Sequence, residues 1–338
     1  MNTAAGIRRA ALIIGAASLA MSLAACTSDD PVVGAAAADA GATEDLTPVT
    51  VGAVYTTAAV PLWIADEQGI FEEHGLDVTI TQSPNFAASA PALLNGQMQF
   101  ANAATAPIIT AIDKDMPIQI VAGVQAEPAD PTRGDDQVMV VEGSDITRPA
   151  DLEGKTVAIN AVGSGPYVGI MANYLEDGGA PDGINWVVMN LNEQIPALEA
   201  GQVDAIVASE PFRAAAADAG FATAFNAYRA PGIDVIPAEF SDAVVVASSK
   251  YLAENAEVAE AMREALIEAN DFAEGNPDAV RDLLVKKLEL APEVADAIYL
   301  PGFRGEVEPG DVQAMIDAML QMGLITNEQD ATELVWMP

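Results

Sequence analysis

At roughly 100–200 residues per domain, a chain of 338 residues has room for two lobes, and a 51% hydrophobic composition is enough to fill their cores. Lysine and arginine number 14 against 50 aspartates and glutamates, a net charge of −36 whose field repels phosphate backbones and excludes nucleic-acid binding. A single cysteine rules out an internal disulfide and any Cys-rich zinc or iron–sulfur centre, and a single histidine removes most His-based sites, so neither a metal nor a cofactor is expected.

Arg8 and Arg9 precede an apolar run of 16 residues over 10–25, shorter than the ~20 a spanning helix needs, so residues 1–25 read as a signal peptide. The run ends in Leu23-Ala24-Ala25-Cys26, which resembles the lipobox of bacterial lipoproteins and marks Cys26 for lipidation. The alternative is an ordinary signal peptide with an incidental cysteine. The exported piece keeps 12 basic residues against the 50 acidic ones, as suits an extracytoplasmic protein anchored to the cell membrane. Residues 26–48 are rich in Ala, Asp, Gly and Thr and bury no core. They read as a flexible tether holding the body on the order of 25 Å from the lipid.

The body then alternates strands and helices. Strands are predicted over 49–55, 76–81, 98–103 and 118–124, with helices over 61–74, 88–95 and 107–115 between them. After the turn Asp151-Leu152-Glu153-Gly154 the order repeats, with strands over 155–160, 184–190 and 203–209 and helices over 166–177 and 194–200. Ala92-Leu93-x-x-Gly96-Gln97-Met98-Gln99 matches Ala197-Leu198-x-x-Gly201-Gln202-Val203-Asp204, which places one βα unit at the same point of both halves. Shared helix-stop chemistry is the alternative source of so short a match.

A strand over 242–247 leads into helices over 255–273, 277–288, 292–299 and 309–322, with Asn276-Pro277 as an N-cap and first-turn proline. This tail has too little strand for a third domain and is expected to pack on the first lobe. Two doubly wound α/β lobes follow: lobe one from 49–143 plus 237–338, lobe two from 144–236, joined by a two-strand hinge near 140–144 and 237–242.

Pro61-Leu62-Trp63-Ile64-Ala65-x-Glu67-x-Gly69-Ile70-Phe71-x-x-x-Gly75-Leu76-Asp77-Val78 resembles the opening signature of solute-binding proteins of the nitrate/sulfonate/taurine class of ABC importers. Leu94-x-Gly96-Gln97-Met98-Gln99, Asp151-Leu152-x-Gly154-Lys155-Thr156 and Ala200-Gly201-Gln202-Val203-Asp204 with Glu210-Pro211-Phe212 resemble its later landmarks, in order. The resemblance implies a type II periplasmic-binding-protein fold and a non-catalytic monomer. It would capture a small organic solute, sulfonate- or taurine-like, and deliver it to ABC permease and ATPase subunits. Thiamine-pyrimidine or aromatic-acid binding in the same fold is the alternative, as is a sensing lipoprotein that docks a receptor. The thiamine pyrimidine synthase family resembles the same fold but works through His and Cys residues, whereas this body has one His at a helix end and no Cys.

In open α/β sheets a ligand sits beyond the carboxyl ends of the strands, where helix N-termini offer free N–H groups. The residues that follow the predicted strands give Thr56, Thr57, Asn85 and Thr105 in lobe one, and Asn160, Gly163, Ser164, Ser209, Glu210 and Arg213 in lobe two. Residues 160–165 read either as a nest of N–H groups for an anion or as a plain turn. Glu210 opens a helix and complements its dipole or touches ligand, while Arg213 meets an anionic ligand or pairs with Glu210 or Asp218. Trp63 and Phe71 read as core. His74 reads as a helix cap, and the glutamates of 254–274 as a solvated face.

Overall fold

The structure, a computed structural model, describes residues 46–338 except Asp234. The signal peptide and Cys26 lie outside the described residues, as does the tether up to residue 45.

Ten strands form two five-stranded sheets. They are β1 (Thr47–Ala53), β2 (Leu76–Gln82), β3 (Phe100–Ala104), β4 (Ile118–Gln125), β5 (Gln137–Val140), β6 (Thr156–Ile159), β7 (Asn185–Val188), β8 (Ala205–Ala208), β9 (Ala222–Asn226) and β10 (Ala243–Ser248). The first sheet runs β2-β1-β3-β10-β4 and the second β7-β6-β8-β5-β9, so the two share one order, with β1 and β6 as counterparts. In the first, β1 is parallel to β2 and β3 while β10 runs antiparallel between β3 and β4. In the second, β6 is parallel to β7 and β8 while β5 runs antiparallel between β8 and β9.

The antiparallel strands are where the chain changes lobe. β5 arrives from lobe one and joins the second sheet, and β10 arrives from lobe two and joins the first. The sheets are therefore mixed rather than wholly parallel, and the crossings are residues 126–136 and 227–242. The first lies upstream of the 140–144 expected, because β5 already pairs with β8 and β9. Neither β5 nor β9 is anticipated from the sequence. β5 is four residues long and buried throughout, so it carries none of the alternation that marks a half-exposed strand.

The repeat in letters is a repeat in structure. The helices Phe86–Leu94 and Leu191–Glu199 each contain a proline, Pro91 and Pro196, and each is followed by a left-handed glycine, Gly96 at φ 79° and Gly201 at φ 64°. The expected helix 61–74 is two, Val60–Glu67 and Ile70–Glu73, yet Trp63 and Phe71 are both 1% exposed and share a core. Asn276 stands at the N-terminus of Pro277–Leu288, but its side chain donates to the Phe272 carbonyl of the preceding helix instead of capping.

Helix Ala256–Gly275 covers β4 and the helix Val60–Glu67, and His74 approaches Glu268 at 3.0 Å and Glu264 at 3.7 Å on its outer side. Helix Pro309–Gln321 lies against both Thr105–Asp113 and Gly165–Glu176, so the tail touches the second lobe as well as the first. One buried apolar cluster accordingly runs from Ile108 and Ile120 through Val312 and Met315 to Val157 and Phe225. No helix among the described residues is long and apolar enough to cross a membrane.

Candidate ligand-binding cleft

Parallel strands bring their carboxyl ends to one edge of a sheet, and an antiparallel neighbour brings its start to the same edge. In the first sheet this edge holds Thr105 just after β3, Gln125 ending β4 and Asp242 just before β10. In the second it holds Ser209 just after β8, Asn226 ending β9 and Asp136 just before β5. Register confirms the match: Ala243 pairs with Ala104 and Gln125, and Gln137 pairs with Ala208 and Asn226.

These residues form a polar cluster, buried except for the half-buried Thr57 and Ser209. Thr57 donates to Gln125 Oε1 at 2.8 Å, and Gln125 Nε2 donates to Asp242 at 2.8 Å and to Asp135 at 3.1 Å. Asn226 donates to Glu127 at 2.9 Å, and Ser209 donates to Asp136. Thr105 binds the backbone at Asp242 and at Ser241, the latter through its hydroxyl at 2.6 Å. Gly134 must be glycine because a Cβ there would stand 1.8 Å from Asn226 Nδ2 and 2.9 Å from Glu127.

Glu127, Asp135, Asp136 and Asp242 are all buried, and one carboxylate oxygen from each lies within 4.8 Å of the others. Burial first, then the neighbouring carboxylates, pushes Glu127 and Asp135 well above the usual carboxylate range. The same causes raise Asp136 to about 7, against the Ser209 bond, and Asp242 to about 8, against the Gln125 bond. Tyr228 is raised too, by burial and then by the four carboxylates beside it. Its hydroxyl occupies the space a Cβ on Gly165 would need, at 2.1 Å, which ties the N-terminus of helix Gly165–Glu176 to this network.

The predicted site residues fall into several groups. Thr57, Thr105 and Ser209 belong to the network. Glu210 and Arg213 belong to a neighbouring pair: Arg213 Nε donates to Glu210 at 2.5 Å, its Nη2 donates to the Ala297 carbonyl at 2.7 Å, and its guanidinium lies 3.7 Å over the Tyr299 ring. Of the partners considered for Arg213, Glu210 is the one it takes. Glu210 also accepts from the backbone of Ala214 and Tyr299.

Thr56, Asn85 and Ser164 cap helices through their side chains, accepting from Ala58, Ala88 and Tyr167 respectively. Gly163 lies in the turn before helix Gly165–Glu176, and Asn160 is exposed at the end of β6. Residues that sequence reasoning missed are Gln125, Glu127, Asp135, Asp136, Asn226, Tyr228 and Asp242. The available signal was acidic residues, Asp135-Asp136 and Asp242, set directly against the apolar runs Val138–Val140 and Ala243–Ala247.

The family model described as NMT1/THI5 like matches residues 56–280. A formylaminopyrimidine-binding protein of Halalkalibacterium halodurans is 25% identical over 233 residues, which are 66% of this chain and 65% of that protein, so the match spans just under two thirds of the relative. Among solved structures, the periplasmic aliphatic sulphonate binding protein SsuA from Escherichia coli superposes with a TM-score of 0.72 at 18% identity, over 86% of this chain and 97% of that one. The alkanesulfonate-binding protein SsuA from Xanthomonas axonopodis pv. citri, bound to MOPS, gives 0.67 at 19% identity over 86% and 99%. The periplasmic nitrate-binding protein NrtA from Synechocystis PCC 6803 gives 0.60 at 14% identity over 86% and 85%. The two-lobed α/β fold expected from the sequence is the fold these proteins share.

Proposed function

The chain belongs to the NMT1/THI5-like family, and from that premise we propose that it is the extracytoplasmic substrate-binding component of an ABC importer. It captures a small organic solute between its two lobes and hands it to a membrane permease, with no chemistry performed on the solute. Two sheets of one order, with their carboxyl ends and crossing strands gathered at a single polar edge, support this reading.

The solute is neutral or weakly charged, bound by hydroxyl, amide and N–H dipoles. The observation that carries this is the engagement of Arg213: its charge is already met by Glu210 and the Tyr299 ring, so it has little to offer a sulfonate. A nitrogen heterocycle of the aminopyrimidine kind fits better than a sulfonate, and the 25% identical relative named for formylaminopyrimidine binding favours it.

Thermal shift across taurine, methanesulfonate, formylaminopyrimidine and benzoate tests both levels. A ligand at 100 times its Kd adds ~2.7 kcal/mol of stability. A shift with formylaminopyrimidine, weakened roughly two- to tenfold in Thr57→Val, supports the neutral cleft. A shift with taurine that falls steeply with salt overturns that finer reading but keeps the binding-protein one, and no shift with any class argues against both. Lipidation at Cys26 belongs to the same proposal. Cys26→Ala is expected to move the protein from the membrane fraction to the soluble one.

A further inference from the structure

We propose that Glu127, Asp135, Asp136 and Asp242 form a hard-cation site, of calcium size, that ties the two interlobe crossings together. Glu127, Asp135 and Asp136 come from the first crossing and Asp242 from the second, so an ion among them binds both connections at once.

Three observations carry the assignment. First, the side-chain donors that reach the four carboxylates among the described residues, Gln125, Asn226 and Ser209, are neutral groups. Second, Glu127, Asp135 and Asp242 each keep one buried oxygen that accepts no hydrogen bond, although the residues are only 1%, 5% and 7% exposed. A buried acceptor left unmet costs about 1–3 kcal/mol, more for a charged group, so three in one cluster call for a positive occupant. Third, Glu127 also lines a pocket of about 450 Å³ beside the first crossing.

The donor set and its spacing choose among cations. Carboxylate oxygens alone, with no nitrogen or sulfur, suit Ca²⁺, Mg²⁺ or Mn²⁺. Ligands on opposite sides of Ca²⁺, at roughly 2.3–2.6 Å each, stand about 5 Å apart, while those around Mg²⁺ stand about 4 Å apart. Oxygens spread over as much as 4.8 Å therefore accommodate calcium without contraction. Calcium brings two positive charges to the cluster, and the Gln125, Asn226 and Ser209 bonds remain to steady it.

Calcium chloride is the probe, added to the full-length protein after EDTA treatment and dialysis at about pH 7.5. A saturable rise in Tm of roughly 5 °C at 100 times Kd is expected, with Mg²⁺ weaker. The rise should vanish in Asp136→Asn/Asp242→Asn and persist in Glu257→Gln/Glu260→Gln, which removes charge only from an exposed helix face. An absent rise up to about 10 mM Ca²⁺, or an equal rise in the double variant, overturns the site. If the double variant fails to fold, Tb³⁺ luminescence excited through Tyr228 of the parent decides. Emission that Ca²⁺ displaces and that Tyr228→Phe abolishes supports the site, and its absence refutes it.

Discussion

Asp136 and Asp242 are structural counterparts: each is the residue immediately before an antiparallel strand that has crossed from the other lobe, and each stands beside the amide that ends the neighbouring strand, Asn226 or Gln125. The duplication that builds two similar lobes thus also brings like charges to one place. Each lobe contributes its Asp where the chain leaves one sheet for the other.

One consequence concerns stability in the absence of divalent cations. Asp242→Asn removes a carboxyl that burial raises to about 8, and lets an amide N–H meet an oxygen that lacks a donor, while its carbonyl can still accept from Gln125. The variant should be more stable than the parent near pH 7 by roughly 1 kcal/mol or more. Urea denaturation in EDTA measures this, and a destabilised variant would show that the cluster is not strained by its charge.

Arg213 is placed to hold structure. With Arg213 side chain 5% exposed and Glu210 1% exposed, Arg213→Ala leaves a carboxylate buried without its cation and should cost about 3–5 kcal/mol. Glu210→Gln/Arg213→Met should recover most of that loss, because no bare charge remains. If Arg213→Ala unfolds like the parent but loses solute binding, Arg213 serves the ligand and this assignment is wrong.

Gly165 and Tyr228 occupy the same space. Gly165→Ala puts a methyl 2.1 Å from the Tyr228 hydroxyl and 3.2 Å from its ring carbon, and should cost about 1–3 kcal/mol. Tyr228→Phe in the same chain removes the nearer clash, so the double variant should lose less than the two single losses combined. Additive losses in a double-mutant cycle would place the strain elsewhere.

Asp113 offers a pH test away from the cleft. Its carboxylate accepts the backbone N–H groups of Thr326 and Asn327, which hold it below the usual aspartate range. A depressed folded value means the contribution is present above the unfolded value near ~4 and is lost as pH falls through the folded one. Asp113→Asn should therefore destabilise the protein at neutral pH and flatten its acid limb, with the two chains converging at the lowest pH. Parallel stability curves for the two chains would rule this linkage out.

Alternation of apolar runs, proline and glycine stops and capping residues are local quantities, and they made most of the body legible from sequence. Residues 76–81, 118–124 and 277–288 read as β2, β4 and Pro277–Leu288, and Ala92-Leu93-x-x-Gly96-Gln97 and Ala197-Leu198-x-x-Gly201-Gln202 announced the repeat. β5 and β9 were not legible, since a short strand inside or at the edge of a sheet owes its state to its partners rather than to its own pattern. The candidate site followed the same division. Thr57, Thr105 and Ser209 follow the ends of strands and could be found by counting, whereas Asn85 and Ser164, found by the same count, turn their side chains to capping. Gln125, Glu127, Asp136, Asn226 and Asp242 meet only because two crossings, about a hundred residues apart, run side by side. Sequence determines which residues carry charge and which runs bury themselves. Bringing four carboxylates of one sign within reach of each other is a long-range pairing that only the assembled sheets decide.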